Sequence, residues 1–407
     1  MGVVSLVFTK TFGCTLNQEN TKEVTINCDI TPDIRKAKYI LVNTCGVKEQ
    51  TQTKVLRFLK YLKKENIPSE KIYIFGCLVT IDPESMKKIL PNANYFKISE
   101  NHKLKKIIEK KDVIKIRKEI TKTIIIANGC LGNCSYCAVK FARGTLKSKK
   151  IKDIKKEVEI SLENGTKEIL LTAQDTACYG FDINTNLVEL LKELITIDKD
   201  FKIRVGMGNP QHLLRILDDL IEVYKSNKIY SFLHIPIQSG DNDVLKKMNR
   251  YYIIEDAIKI INKFRKNIPN ITIATDIIVG FPTETNEQFQ NTIKVVKKIK
   301  PDIINISRFG RRKNIEANKY PDLSGTIKKE RSRELTKLTL KISYENNLKF
   351  ENKIKDVLFL EPGKNNTVIG RTDEYKLVVL SESIKLPQIL KTKIIKAHSH
   401  YLISKIN

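Results

Sequence analysis

The 407-residue chain lacks any run of about 18 apolar residues, which excludes a membrane-spanning helix. Its opening, "MGVVSLVFTKTFGC", lacks the basic start and long apolar stretch of a signal peptide. It also lacks a myristoylation signal, because Ser5 falls one position short of the required hydroxyl. A cytoplasmic protein with no membrane partner is expected. Acid is scarce as well: 46 acidic residues face 73 Lys and Arg, a formal net charge of +27. A lysine-rich background explains part of this excess but not why acidic residues fail to keep pace. A polyanionic partner is expected, and nucleic acid is the first choice.

A fourth ligand is missing too. "NGCLGNCSYC" (128–137) spaces Cys130, Cys134 and Cys137 as C-x3-C-x2-C, and no further Cys or His follows nearby. Structural zinc needs four closed ligands. The nearest alternative, Cys178, lies far along the chain. Three thiolates suit a 4Fe-4S cluster that leaves one iron open to a reactant. The eight cysteines do not form a disulfide framework in a long cytoplasmic chain. Cys28 and Cys178 are left over.

The first hundred residues read as alternating strands and helices. Apolar runs at 3–8, 39–44 and 72–76 predict buried parallel strands. Cys14, Cys45 and Cys77 each follow one of these strands. In a parallel sheet the C-terminal strand ends share one edge, so the three can converge. Residues 97–122 are lysine-rich and read as a connector. Six further strands are expected at 123–127, 168–173, 201–206, 231–236, 271–280 and 302–307, with helices between. Six β/α units fall short of the eight of a closed barrel and predict an open, partial (βα)6 barrel. Beyond residue 345 paired short strands predict a small β-barrel. That segment carries 11 basic against 7 acidic residues. The predicted class is α/β. Residues 1–110 form an N-terminal parallel domain, 111–344 the partial barrel and 345–407 the β-barrel.

C-x3-C-x2-C at the first strand of such a barrel resembles the radical S-adenosylmethionine (SAM) superfamily. The segments "TFGCTLN", "VNTCGVKEQTQTKV" and "IFGCLV" resemble the N-terminal domain of its methylthiotransferases. "LTAQDTACYG", "IRVGMGNP", "HIPIQSGDNDVLKKMNR" and "TDIIVGFPTET" extend the match over the whole chain, and the C-terminal barrel resembles the RNA-binding TRAM domain. The cluster loop is most similar to the archaeal and eukaryotic branch. That branch converts N6-threonylcarbamoyladenosine beside the tRNA anticodon to its 2-methylthio form.

The resemblance implies two 4Fe-4S clusters, one on Cys130, Cys134 and Cys137 and one on Cys14, Cys45 and Cys77. SAM is implied to bind the open iron of the first and to serve as radical source and methyl donor. Tyr136 is implied beside the SAM adenine. Gln174, Asp175, Arg204, Gln238, Ser239, Thr275 and Asp276, at barrel strand ends, are expected to line the SAM pocket. His234 reads as a satisfied core histidine.

The tRNA anticodon stem-loop is the expected partner, together with an electron donor such as ferredoxin or flavodoxin and a sulfur source. "KFARGTLKSKKIKDIKK" (140–156) carries eight basic residues and one acid, and "RFGRRK" (308–313) adds four basic residues. Arg143, Lys147, Arg308 and Arg312 are the expected RNA contacts there, with Arg371 and Lys376, flanking Tyr375, in the C-terminal barrel. The family's "RPGT" turn after the sixth strand reads "RRKNIEA" here, with Arg312 kept. Two other readings stand beside this one. One is methylthiolation of a ribosomal-protein aspartate; the other is a non-catalytic iron–sulfur protein that binds RNA.

Overall fold

The structure is a computed structural model that describes residues 6–109 and 118–407. It divides into two compact units. The first comprises residues 6–109, the loop 128–147 and the segment 310–319. The second holds 118–127, 148–309 and 320–407. The loop with Cys130, Cys134 and Cys137 therefore packs with the N-terminal residues, although in the chain it follows the first barrel strand.

In chain order the N-terminal residues form β1 (Leu6–Thr11), α1 (Thr15–Val24), β2 (Asp29–Ile30), β3 (Tyr39–Thr44), α2 (Glu49–Lys64), β4 (Ile72–Gly76), α3 (Cys77–Ile81), α4 (Pro83–Lys87), β5 (Asn94–Phe96) and α5 (Asn101–Ile108). The sheet is parallel in the order β2-β1-β3-β4-β5. Alternation along β3 shows that both faces are covered. Ile40 and Val42 pack with Val55, Leu59 and Leu62 of α2, whereas Leu41 packs with Val24 of α1 and with Leu104 and Ile108 of α5. A strand buried on two faces reads as a continuous apolar run, as "YILVNT" does. Two small edge strands, β2 and β5, escape the sequence reading. Part of the expected connector is α5, whose Leu104 and Ile108 are fully buried; residues 110–117 lie outside the described residues.

In the second unit all six expected barrel strands form, at Thr121–Ile125, Glu168–Thr172, Lys202–Val205, Phe232–His234, Thr272–Val279 and Ile303–Arg308. They make two parallel three-stranded sheets. A bridge between Ile203 and Ile229 and the bond from Gly208 N–H to His234 O tie one sheet to the other. A 24-residue helix, Gly325–Leu348, leads to a closed five-stranded barrel built from Ile354–Pro362, Val368–Thr372, Leu377–Leu380, Gln388–Ala397 and Leu402–Ile406. Val357, Phe359, Val378, Leu380, Ile394 and Leu402 fill it.

Candidate functional site

The sheet register brings Cys14, Cys45 and Cys77 together. Thr11 of β1 pairs with Asn43 of β3, and Thr44 pairs with Gly76 of β4, so three strands end on one edge. Each cysteine lies just beyond its strand. Gly13 has φ of +105°, and a Cβ on it would sit 2.7 Å from the Cys45 Cβ and 2.9 Å from its Sγ. Only glycine lets the chain pass so close to a thiol. Cys45 and Cys77 are buried and Cys14 is exposed. The Cys45 thiol is pushed up to about 11, chiefly by burial, with the neighbouring Cys77 and Cys14 contributing. Burial also raises Cys77, while Arg143 opposes the rise.

Buried asparagines frame this trio. Asn17 of α1 donates through Nδ2 to Phe12 O (2.9 Å) and Thr44 O (3.1 Å). Its Oδ1 accepts from the Arg143 guanidinium at 2.7 Å and faces the Cys77 Sγ at 3.8 Å. Asn20, one turn on, accepts from the same Arg143 nitrogen at 3.0 Å. Asn43 donates to Asn17 O at 2.7 Å. These residues are absent from the sequence-based site. The available signal is "TLNQEN", whose two asparagines lie on one helix face, where buried amides demand partners.

Arg143 closes α6 (Val139–Arg143), immediately after the second trio. Expected on RNA, it is half-buried and donates to Asn17, Asn20 and Asn128. Arg312, also expected on RNA, is only 9% exposed; burial holds it below the usual guanidinium range, and Glu49 and the Cys45 thiol act on its charge. Both arginines lie near thiols of the first trio because the chain folds their segments onto the N-terminal residues. Ala317 N–H also donates to Ser135 O (2.8 Å), tying segment 310–319 to the cysteine loop.

The second trio sits on a tight loop. A Cβ on Gly129 (φ +76°) would lie 1.9 Å from Thr145 O, so the loop ends close only over glycine. Gly132 N–H donates to Cys130 Sγ at 3.2 Å, and a Cβ on Gly132 would lie 3.4 Å from that sulfur and 3.7 Å from Cys134 Sγ. Cys137 N–H donates to Cys134 O. Protein packed around the Cys137 thiol pushes it up to about 12, with Cys134 adding to the effect. Tyr136 is half-buried beside it.

Among the described residues, the group whose ligand atoms all lie within 4.8 Å of one another is Asp175, Cys178 and His212. A tetrahedral zinc with bonds of about 2.3 Å demands such closeness. The wider cysteine trios, each with three thiols, suit a larger cluster with one ligand position left over.

The barrel strand ends hold the remaining expected residues. Gln174 Oε1 is buried without a hydrogen-bond partner, as a ligand-binding amide would be. Three others make hydrogen bonds within the barrel. Asp175 accepts from the Ala177 and Asn209 amides and pairs with His212 Nδ1 at 2.6 Å. Thr275 donates to Ile235 O and accepts from Ile237 N–H. Ser239 is fully buried and accepts from Asp241 N–H. Gln238 keeps a left-handed backbone (φ +64°) and a half-buried side chain. Asp276 pairs with His234 at 2.8 Å, the satisfied histidine anticipated. Arg204 pairs with neither Asp175 nor Asp276; its guanidinium lies 5.0 Å from the Phe232 ring and 5.8 Å from the Tyr375 ring.

Lys147 and Arg308 are exposed, as an RNA contact requires. Arg371 lies 5.2 Å over the Tyr375 ring. Lys376, expected on RNA, is buried in an ion pair with Asp302 at 2.7 Å. Tyr375 packs at 4.8 Å on Tyr230 and 4.9 Å on Phe232. This turn docks the small barrel on the strands of the large one.

Comparison with known proteins agrees with this architecture. Residues 124–296 match the radical SAM superfamily, 6–97 the uncharacterized protein family UPF0004, and 348–406 the TRAM domain. The superfamily match implies SAM and a 4Fe-4S cluster. The chain is 37% identical to a probable threonylcarbamoyladenosine tRNA methylthiotransferase of Archaeoglobus fulgidus, over 98% of this chain and 97% of that one. A Pyrococcus abyssi protein of the same name is 39% identical, over 92% and 93%. A tRNA-2-methylthio-N(6)-dimethylallyladenosine synthase of Thermodesulfovibrio yellowstonii is 33% identical over 97% of both chains. The radical SAM methyltransferase TsrM of Kitasatospora setae shares the fold, with a TM-score of 0.57 at 12% identity over 77% of each chain. With its thiol loop, partial barrel and TRAM barrel in this order, the chain belongs to the radical SAM methylthiotransferase family.

Proposed function

We propose that this enzyme converts N6-threonylcarbamoyladenosine, next to the tRNA anticodon, to its 2-methylthio derivative in the cytoplasm, using two 4Fe-4S clusters. The observation that carries the reading is the pair of three-thiol sets within one compact unit, each a ligand short of closure. A redox relay has no use for an open iron, whereas sulfur transfer does. Such clusters and SAM together supply radical cleavage of a C–H bond and a sulfur ready for transfer.

The residues described here have plainer roles. Cys130, Cys134 and Cys137 hold one cluster, and Gly129 and Gly132 give their loop its shape. Cys14, Cys45 and Cys77 hold the other. Arg143 and Arg312 place positive charge beside thiolates that burial alone disfavours. The unpartnered Gln174 Oε1 and Tyr136 are assigned to SAM. Lys147 and Arg308 are assigned to tRNA phosphates. A low-potential donor, such as ferredoxin or flavodoxin, supplies electrons, and a separate sulfur source refills the N-terminal site. The threonylcarbamoyl substrate is favoured over the dimethylallyl one because relatives named for it are the more similar, at 34–39% against 32–33% identity.

Nucleoside mass spectrometry of tRNA tests this. The host makes threonylcarbamoyladenosine but cannot methylthiolate it. The expected result is a methylthio-threonylcarbamoyl product that disappears when Cys130, Cys134 and Cys137 are changed to Ala. SAM cleavage by the purified protein without any such product would refute the substrate. Absence of both, with iron loaded, would refute the enzyme.

A further inference from the structure

One surface of the N-terminal unit is assigned to nothing above. Helix α2 buries Val55, Leu59 and Leu62. Its outer side presents Lys54, Arg57, Phe58 and Tyr61, three and four residues apart and hence on one face. Beside them lie Lys10 and Phe12 at the end of β1. These six residues line a shallow groove of about 320 Å³ with no carboxylate among them.

The rings are in sequence across the groove. Phe12 meets Phe58 at 5.9 Å, and Phe58 stacks on Tyr61 at 5.9 Å with 27° between planes. Phe12 and Phe58 also rest on the core beneath, so the ladder is anchored at one end. At the other end Tyr61 is 45% exposed. The Lys10 ammonium stands 5.8 Å from the Phe58 ring. Lys10, Lys54 and Arg57 are all exposed, and Phe12 precedes the exposed Cys14 by two residues.

We infer that this groove binds unpaired nucleotides of the substrate RNA, with a base stacked on the Tyr61–Phe58 ladder and phosphates held by Lys10, Lys54 and Arg57. An anchored aromatic face rimmed by cations is the arrangement that single-stranded RNA recognises. Core packing accounts for Phe12 and Phe58, but it does not account for a third ring left in water among three cations. The inference rests on the tRNA reading of the Proposed function and extends it to a second contact area.

The test uses the full, cluster-loaded chain and a fluorescently labelled anticodon stem-loop RNA. Fluorescence anisotropy gives affinity across a salt series, and iron content confirms that each variant is folded. Tyr61→Ala is expected to weaken binding about tenfold, from the loss of one stacked base. Tyr61→Phe, which keeps the ring, is expected to restore it. Lys54→Gln with Arg57→Gln is expected to flatten the slope of log affinity against log salt by about 1.4.

Tyr61→Ala binding RNA as the unchanged chain does would overturn the inference. If that chain still methylthiolates tRNA, only the groove assignment falls. If Tyr61→Ala loses affinity while no tRNA product forms in any variant, the groove stands and the substrate reading falls. Unchanged RNA affinity with slower reduction by a flavodoxin would overturn the inference too, making the face a protein dock.

Discussion

Arg143 follows Cys137 by six residues, yet its guanidinium lies on Asn17 and Asn20, more than a hundred positions earlier. Its charge opposes the burial that raises Cys77. Arg143→Leu should therefore disturb the N-terminal cluster rather than tRNA affinity. In a background lacking Cys130, Cys134 and Cys137, where only that cluster can form, iron loading should fall and the spectrum of the reduced cluster should change. An RNA-contact role would instead leave the iron unaltered and weaken binding. At Gly129 the constraint is steric. A Cβ would meet the Thr145 carbonyl at 1.9 Å on a left-handed backbone. Gly129→Ala should abolish cluster loading at Cys130, Cys134 and Cys137 and with it SAM cleavage, while iron at Cys14, Cys45 and Cys77 persists.

Among the elements, the C-terminal turn 373–376 changes its meaning most. In sequence, a cation beside an aromatic suggests RNA. In the fold, Lys376 and Asp302 form a pair with side chains only 8% and 10% exposed. Removing one partner strands a buried charge, so Lys376→Met should destabilise the protein by about 3–5 kcal/mol. A clear drop in the thermal unfolding midpoint would show this; an unchanged midpoint with weaker tRNA binding would contradict it. The strands at 39–44 and 72–76 were legible to the residue because a doubly buried strand is an unbroken apolar run between polar turns. The edge strands Asp29–Ile30 and Asn94–Phe96 were not, since two or three half-covered residues carry no period. Helix α5 hid among lysines because Leu104 and Ile108, one turn apart, are its entire buried face. The cysteines were legible because ligand spacing is local for one trio and strand-end placement is regular for the other. The asparagine–arginine frame was not: it exists only once α1 and the loop 128–147 lie against the same strand ends.

At the scale of the molecule, a net charge of +27 is the dominant physical fact. Its effect belongs to affinity and not to choice of nucleoside, because phosphates carry no sequence information. Binding of tRNA should therefore weaken steeply with salt, by a power of the salt concentration near 0.7–0.9 per phosphate contacted. Unmodified tRNA should show nearly the same slope as substrate tRNA. A flat salt response would place recognition in neutral contacts and contradict the role given to Lys147 and Arg308.

The central claim is that two three-thiol sets hold two clusters with separate duties. The direct measurement is iron stoichiometry with product analysis on three anaerobically reconstituted proteins. These are the unchanged chain, a Cys14, Cys45 and Cys77 to Ala variant, and a Cys130, Cys134 and Cys137 to Ala variant. The account predicts about eight irons in the first and about four in each of the others. The N-terminal variant should still cleave SAM but yield no methylthio nucleoside, and the loop variant should do neither. Full iron in the N-terminal variant, or methylthiolation beyond one turnover without those three cysteines, would contradict the account.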